Sequence, residues 1–485
     1  MQEHHGSVFV QMVVDKRGTR AYNESENVGN GGAFVNPNIK NFCVAPSVVR
    51  ADRESELSIS CFDGEMRFFD DITYEITCIP QEESDVSLDE EMSLLGYNKA
   101  RRVQYVKPVN GVLKVRYYFA GEQEWRIHIA TKEYGKHQNP LYEPYKDYWG
   151  WLINKPCEGI DLFVYSLQED LYERRPLRGD LHVHTGVSDG KETVATVAAC
   201  YRKAGRDFVA ITDHNTFFSP AQAKETFGFM KNFTVLPGEE VHNGYVGYFH
   251  MVNIGGRYSV NRRYLEEKEA VKKEIEALSR EIIVPNGVDA CEYVARAWLY
   301  QEIKKSGGVA VFPHPFWKIG YNHVSTTMSK AIIQNGLCDA FEVLGGVSPR
   351  SNNLQVALYH DLRAEGCTIP AVGSTDSHTS REKAHTQCST VVFAAKDGDI
   401  LQAIAEGYSV PVESLPNENV RTYGNLRLSA YVHFLLENYF PLHEELCAIS
   451  GVWMEEYVKG NAEAKELLEA TEQKVTALKE RFFRG

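Results

Sequence analysis

FVAITDHN, residues 208–215, is an apolar run that stops on an aspartate and a histidine. A run this short reads as a strand buried on both faces, as parallel strands are. The pattern recurs in FTVLPGEEV (233–241), YFHMVNI (248–254), GGVAVFPHP (307–315), DAFEVLGG (339–346) and IPAVGSTDSH (369–378). Segments of helical character separate the runs, among them KETVATVAACYRKAGRD (191–207) and NNLQVALYHDLRAEG (352–366). Strands alternating with helices predict βαβ units and a parallel sheet. Six or seven units without an early stop predict a closed β/α barrel over residues 177–412.

The texture differs on either side. ERRPLRG (173–179) marks a boundary. Before it, Leu57, Ile59 and Cys61, then Ile72, Tyr74, Ile76 and Cys78, then Leu113, Val115, Tyr117 and Phe119 alternate with polar residues, and Trp125, Ile127 and Ile129 follow after AGEQ. Period two predicts half-buried antiparallel strands, so residues 42–176 read as an all-β sandwich of immunoglobulin-like architecture without visible catalytic groups. Residues 1–41, polar and partly Gly/Asn-rich, read as an N-terminal arm. A charged, helix-prone stretch at about 257–306 interrupts the barrel rhythm as a helical insertion. Residues 413–485 read as C-terminal helices, in which Leu468, Thr471, Val475, Leu478 and Phe482 form a narrow apolar seam. Packing on the chain's own barrel is the default use of that seam, and homo-oligomerisation the sharper one.

Composition bounds the function. The chain has 485 residues, 43% hydrophobic and 24% charged, which suits a soluble multi-domain protein. A net charge of −14 argues against bulk nucleic-acid binding, which depends on neutralising phosphates. Ten cysteines without a CxxC pair read as reduced thiols. No secretory signal is evident at MQEHHGSVFV, and no apolar run reaches the ~18 residues of a membrane span, so a cytoplasmic location is expected.

The strand ends carry the chemistry. In DLHVHTGVSDG (180–190), His182 and His184 stand at i and i+2 and point to one side, roughly 7 Å apart along a strand. Asp189 returns a carboxylate from the following loop. Other strand ends bring His214, Glu239 or Glu240, His250, His314, Asp376 and His378. In a barrel these ends converge on one mouth. So many polar groups there would each cost several kcal/mol of lost hydration unless something compensates them. Clustered cations compensate them directly.

DLHVHTGVSDG, ITDHN, FPHPFW and GSTDSH together resemble, in order, the four motifs of the PHP (polymerase and histidinol phosphatase) family. The resemblance covers about residues 177–412. It implies a distorted (β/α)7 barrel, a trinuclear metal centre and phosphoester hydrolysis. The implied ligands are His182, His184, Asp189, His214, Glu240, His250, His314, Asp376 and His378, with Glu240 preferred over Glu239 by its place after Gly238. Imidazole and carboxylate without thiolate suit Mn, Fe or Zn as the divalent ions.

On this reading the metals lower the pKa of a water, and the resulting hydroxide attacks phosphorus in line. Arg381 and His385, with Lys383 nearby, follow the last motif and are candidates for holding phosphate oxygens or protonating the leaving group. Lys191 and Lys318 are further substrate-binding candidates, and Asp213 is expected to orient a ligand. Phe217, Trp317 and Tyr321 offer stacking surfaces near the mouth. The expected substrate is a phosphorylated small molecule or nucleotide. The alternatives are a nuclease acting on strand ends, or a binding protein with structural metals.

Overall fold

The computed structural model describes residues 37–62, 67–82, 103–131, 159–243, 249–380, 387–396, 398–416 and 418–483. Most of the expected N-terminal arm, residues 1–36, lies outside them.

The period-two segments form two sheets. Strands β1 (Phe42–Ala45), β3 (Arg53–Cys61) and β6 (Leu113–Phe119) make one, in the order β1-β3-β6. Strands β2 (Val48–Arg50), β4 (Tyr74–Pro80), β5 (Val103–Val106), β7 (Gln123–Thr131) and β8 (Gly159–Leu167) make the other, in the order β2-β8-β7-β4-β5. Leu57, Ile59, Leu113 and Val115 from the first sheet share a core with Ile76, Trp125, Ile127, Ile129 and Val164 from the second. Alternation puts these side chains on the inner faces. The Trp125 indole donates to Ser166 Oγ at 2.9 Å, which satisfies its one polar atom. The strand pairing is not purely antiparallel, because β2 runs parallel to β8.

A short helix, α1 (Glu169–Tyr172), leads into the α/β region. The strands β9 (Arg174–Asp180), β10 (Phe208–Ala210), β11 (Thr234–Leu236), β12 (Gly238–Asn243), β13 (Phe249–Ile254), β14 (Val309–Phe312), β15 (Ala340–Leu344) and β16 (Ala371–Gly373) follow. Hydrogen bonds link them in a ring. β9 pairs with β10, β10 with β11, and a bridge from His214 to Glu240 carries the ring onto β12. β12 to β16 pair in sequence order. The parallel bridge Val183↔Ser377, with His184 N donating to Ser377 O at 2.9 Å, returns the ring to β9. β17 (Cys388–Ala395) and β18 (Ser409–Glu413) continue the sheet antiparallel on the outside of β9.

The sheet is not uniformly parallel. β13 runs antiparallel to both β12 and β14; the five residues that join it to β12 are too few for a parallel crossover. Its first residues therefore lie at the rim where the neighbouring parallel strands end, which is how His250 reaches the same mouth as His214 and His314.

Helices join the strands: α2 (Val194–Lys203), α3 (Pro220–Glu225), α4 (Val260–Glu266), α5 (Lys268–Leu278), α6 (Ala290–Ser306), α7 (Thr326–Gln334), α8 (Pro349–Ala364) and α9 (Ile400–Ala405). Thr193, Ser219, Ser259, Asp289, Ser325, Ser348 and Asp399 each accept a backbone N–H as the N-cap of one of them. The stretch expected as a helical insertion is the set α4–α6. Of these, α6 is core structure: Trp298, Leu299 and Ile303 pack with Phe249 and Phe312.

The C-terminal helices α10 (Leu426–Asn438), α11 (Phe440–Val458) and α12 (Ala464–Phe482) pack against α2 and the outer strands β17 and β18. Arg178 Nη1 reaches Glu444 Oε1 at 2.7 Å, Arg202 Nη2 reaches Glu472 Oε1 at 3.0 Å, and Asp207 Oδ1 meets His443 Nε2 at 3.0 Å and Lys479 Nζ at 3.2 Å. Gly451 lets α11 press onto α2: a Cβ there would stand 2.5 Å from the Lys203 backbone. Leu468, Thr471, Val475, Leu478 and Phe482 are buried within the chain, so the apolar seam packs on the chain's own fold.

Candidate metal centre

Four side-chain atoms converge at the rim. His182 Nε2 lies 3.1 Å from Glu240 Oε2 and 3.3 Å from Asp376 Oδ1. His184 Nε2 lies 3.1 Å from Asp376 Oδ1 and 3.3 Å from Glu240 Oε2, and the two imidazole nitrogens are 3.3 Å apart. His182 donates through its other nitrogen if Nδ1 carries the proton, because Nδ1 sits 3.0 Å from the buried Glu342 Oε2. That tautomer leaves the Nε2 lone pair facing the cluster, the arrangement in which an outer carboxylate orients a metal-binding histidine.

A second group opens towards solvent. His184, Asp189, His214 and His378 present ligand atoms within 4.8 Å of one another. His378 Nε2 is 3.2 Å from Asp189 Oδ2, and the side chains of Asp189 and His378 are 52% and 39% exposed, so this is the accessible edge of the site. A third group lies deeper. Glu240 Oε1 is 2.7 Å from His250 Nδ1 and 3.1 Å from His314 Nε2. The two Glu240 oxygens thus face different groups, as a bridging carboxylate does. Glu239, its neighbour in the strand, points the other way: it accepts from Ser259 Oγ, Val260 N and Asn261 N at the start of α4 and from Asn253 Nδ2 of β13.

The backbone is strained at two of these residues. His314 and Asp376 have φ of 25° and 48°, positions that favour glycine. Such strain persists only where the surroundings enforce it, and it clusters at functional sites. His314 is flanked by Pro313 and Pro315, which restrict the chain on both sides.

Further groups hold the cluster in place. Asp180 accepts from Thr375 Oγ1 at 2.6 Å and from His182 N at 3.1 Å, tying β9 to the segment that carries Asp376. Asp213 accepts from Thr185 N at 2.7 Å, Thr185 Oγ1 at 2.7 Å and Ser188 Oγ at 2.6 Å. Through these bonds it positions the loop bearing Asp189. Glu192 accepts from Thr379 Oγ1 and Ser380 N beyond His378. Gly190 is required at this turn, since a Cβ would meet the His184 carbonyl at 2.7 Å.

Electrostatics follow the geometry. Burial opposes charge on His182 and His184, but Glu240 and Asp376 outweigh it, raising both imidazoles, His184 to about 9. Burial likewise opposes charge on Glu240 and Asp376, and the surrounding histidines hold both below the usual carboxylate range. Ionised carboxylates enclosed by imidazoles, with no thiolate among them, are a donor set that fits divalent Mn, Fe or Zn.

Some expected residues stand apart. Lys191 and Lys318 are exposed; the Lys191 backbone N–H, not its ammonium, donates to His378 O at 3.0 Å. Arg381, Lys383 and His385 lie outside the described residues. Trp317 is at the centre, with its ring centroid 5.8 Å from that of His250 and 5.7 Å from that of His314, whereas Tyr321 is largely exposed. Three residues near the cluster were not singled out from the sequence: Glu342, His242 and His323. A glutamate inside an otherwise apolar buried strand is a legible signal, and His242 stands at i+2 from Glu240, the spacing that pairs His182 with His184.

No family model matches the chain. It is 32% identical over 96 residues to the DNA polymerase/3'-5' exonuclease PolX of Bacillus subtilis, a match covering 17% of each protein. The chain thus spans about one sixth of the length of that curated relative. Among solved structures, it is similar to a two-domain protein from Bacteroides vulgatus containing a predicted PHP-like metal-dependent phosphoesterase, at 18% identity and a TM-score of 0.35, covering 55% of this chain and 71% of the other. It is also similar to a candidate metal-dependent phosphoesterase from Bifidobacterium adolescentis, at 18% identity and a TM-score of 0.32, covering 47% and 94%. The first of these two structures is described as containing a PHP-like domain, the second as a metal-dependent phosphoesterase.

Proposed function

We propose that the chain is a metal-dependent phosphoesterase that hydrolyses a phosphorylated small molecule or nucleotide at a centre of three divalent cations. The observation that carries this reading is the convergence of His182, His184, Glu240 and Asp376, with Glu240 turned towards His250 and His314 as well. Divalent cations held there supply Lewis-acid charge and bring the pKa of water towards neutrality. The chain's own contribution is orientation. Glu342 fixes the His182 ring, Asp180 aligns the two strands that bear His182 and Asp376, and Asp213 holds the loop of Asp189. The exposed edge at Asp189 and His378 is where a phosphate ester would enter.

The test is metal analysis of the purified protein, then turnover of phosphomonoesters, phosphodiesters, nucleotides and oligonucleotides with Mn²⁺ supplied. Monoester or nucleotide hydrolysis, abolished in His182→Ala and Asp376→Ala, is the expected result. Activity confined to oligonucleotide ends would replace the substrate class with a nuclease. No turnover over the whole panel at full metal loading would leave a binding protein with structural metals.

A further inference from the structure

His323 lies outside the nine residues implied as ligands, yet it is buried against two of them. Its ring centroid is 4.7 Å from that of His250 and 5.5 Å from that of His314, and ligand atoms of the three histidines lie within 4.8 Å of one another. The loop that carries it is pinned close to the rim: His323 N donates to Trp317 O at 2.8 Å, and Val324 N to Pro315 O at 2.9 Å. The Trp317 ring covers the cluster, 5.5 Å from His323. His250 meets His314 and His323 edge to face, and His314 stacks on His323, so the three buried rings bring ligand nitrogens together where one cation could share them.

We propose that His323 is a further metal ligand, sharing a cation with His250 and His314 beside Glu240 Oε1. In this assignment Glu240 Oε1, 2.7 Å from His250 Nδ1 and 3.1 Å from His314 Nε2, completes the three nitrogens to four donors, the ligand count of a closed zinc site. A catalytic position keeps one place open. The deep cation is then a fixed charge, and substrate exchange is confined to the edge formed by Asp189, His214 and His378. This inference rests on reading the rim as a metal centre.

Zinc binding tests it without an activity assay. Wild type and His323→Asn are loaded with Zn²⁺, passed through a chelating column and analysed for bound metal. Zn²⁺ affinity is measured by competition with a chromophoric chelator. The expected result is that His323→Asn loses one equivalent, or holds it ~100-fold more weakly, a loss at the upper end of that seen when the support of a ligand is removed. Equal stoichiometry and affinity in the two proteins would overturn the assignment while leaving the metal centre intact. Failure of the wild type to bind zinc at all would overturn the metal centre itself. If His323→Asn is poorly folded, Co²⁺ titration of the wild type decides: quenching of Trp317 fluorescence, identified by its loss in Trp317→Phe, must accompany filling of the tightest position. Filling of that position without Trp317 quenching would place the cation elsewhere.

Discussion

His182 is held at both ends of its ring. One nitrogen meets Glu342, and the other faces Glu240, Asp376 and His184. The carboxylate of Glu342 sets which nitrogen carries the proton and so which lone pair is offered to a cation. Removing such an outer partner typically costs 10–100-fold in metal affinity, so Glu342→Ala should weaken the tightest Zn²⁺ site by about that factor, read by chelator competition. An unchanged affinity would show that Glu342 does not set the His182 tautomer. The sequence shows His182 readily, because paired histidines at a strand end are conspicuous. Glu342 is less conspicuous, since its role depends on a contact with a residue 160 positions away.

At the scale of the element, β12 shows how one strand serves two purposes. Its alternation sends Glu240 to the cluster and Glu239 to the first turn of α4. Glu239→Ala leaves Ser259 Oγ, Val260 N, Asn261 N and Asn253 Nδ2 without their shared acceptor, at a cost of roughly 1–3 kcal/mol for each buried group that finds no substitute. It should therefore lower the melting temperature while retaining bound metal. Glu240→Ala should instead lose metal. Calorimetry and metal analysis on both variants check the pair, and metal loss in Glu239→Ala would mean that the two faces of the strand are not independent. Much of the barrel is legible because buried parallel strands are continuous apolar runs and their ends stand out. The direction of β13 is not read from such runs, since an apolar strand looks the same whichever way it runs. Its signal is the length of the link: five residues between Asn243 and Phe249 are too few for the crossover that parallel strands need.

For the whole molecule, the C-terminal helices matter because they tie α2 and β10 to the outer strands β17 and β18. That arrangement is not legible in the sequence: Arg178 and Glu444, or Asp207 and Lys479, lie more than 260 residues apart and give no local pattern. His443, which reads from the sequence as an unremarkable core or surface residue, is buried against Asp207 at 3.0 Å and Cys447 Sγ at 3.5 Å. Burial disfavours its charged form, but the Asp207 carboxylate outweighs this and raises it from 6.5 to about 9. A group with a folded pKa above its unfolded one binds its proton more tightly when folded. Its stabilisation is thus complete below about 6.5 and is lost as pH rises through about 9. Melting temperatures measured from pH 6 to 10 should therefore fall more steeply for the wild type than for His443→Gln, with the two profiles diverging most at the acid end. The comparison isolates His443, because His184, which titrates in the same window, is present in both proteins. Parallel profiles would mean that the imidazole is neutral in the fold and that Asp207 is balanced by Lys479 and Arg202 alone.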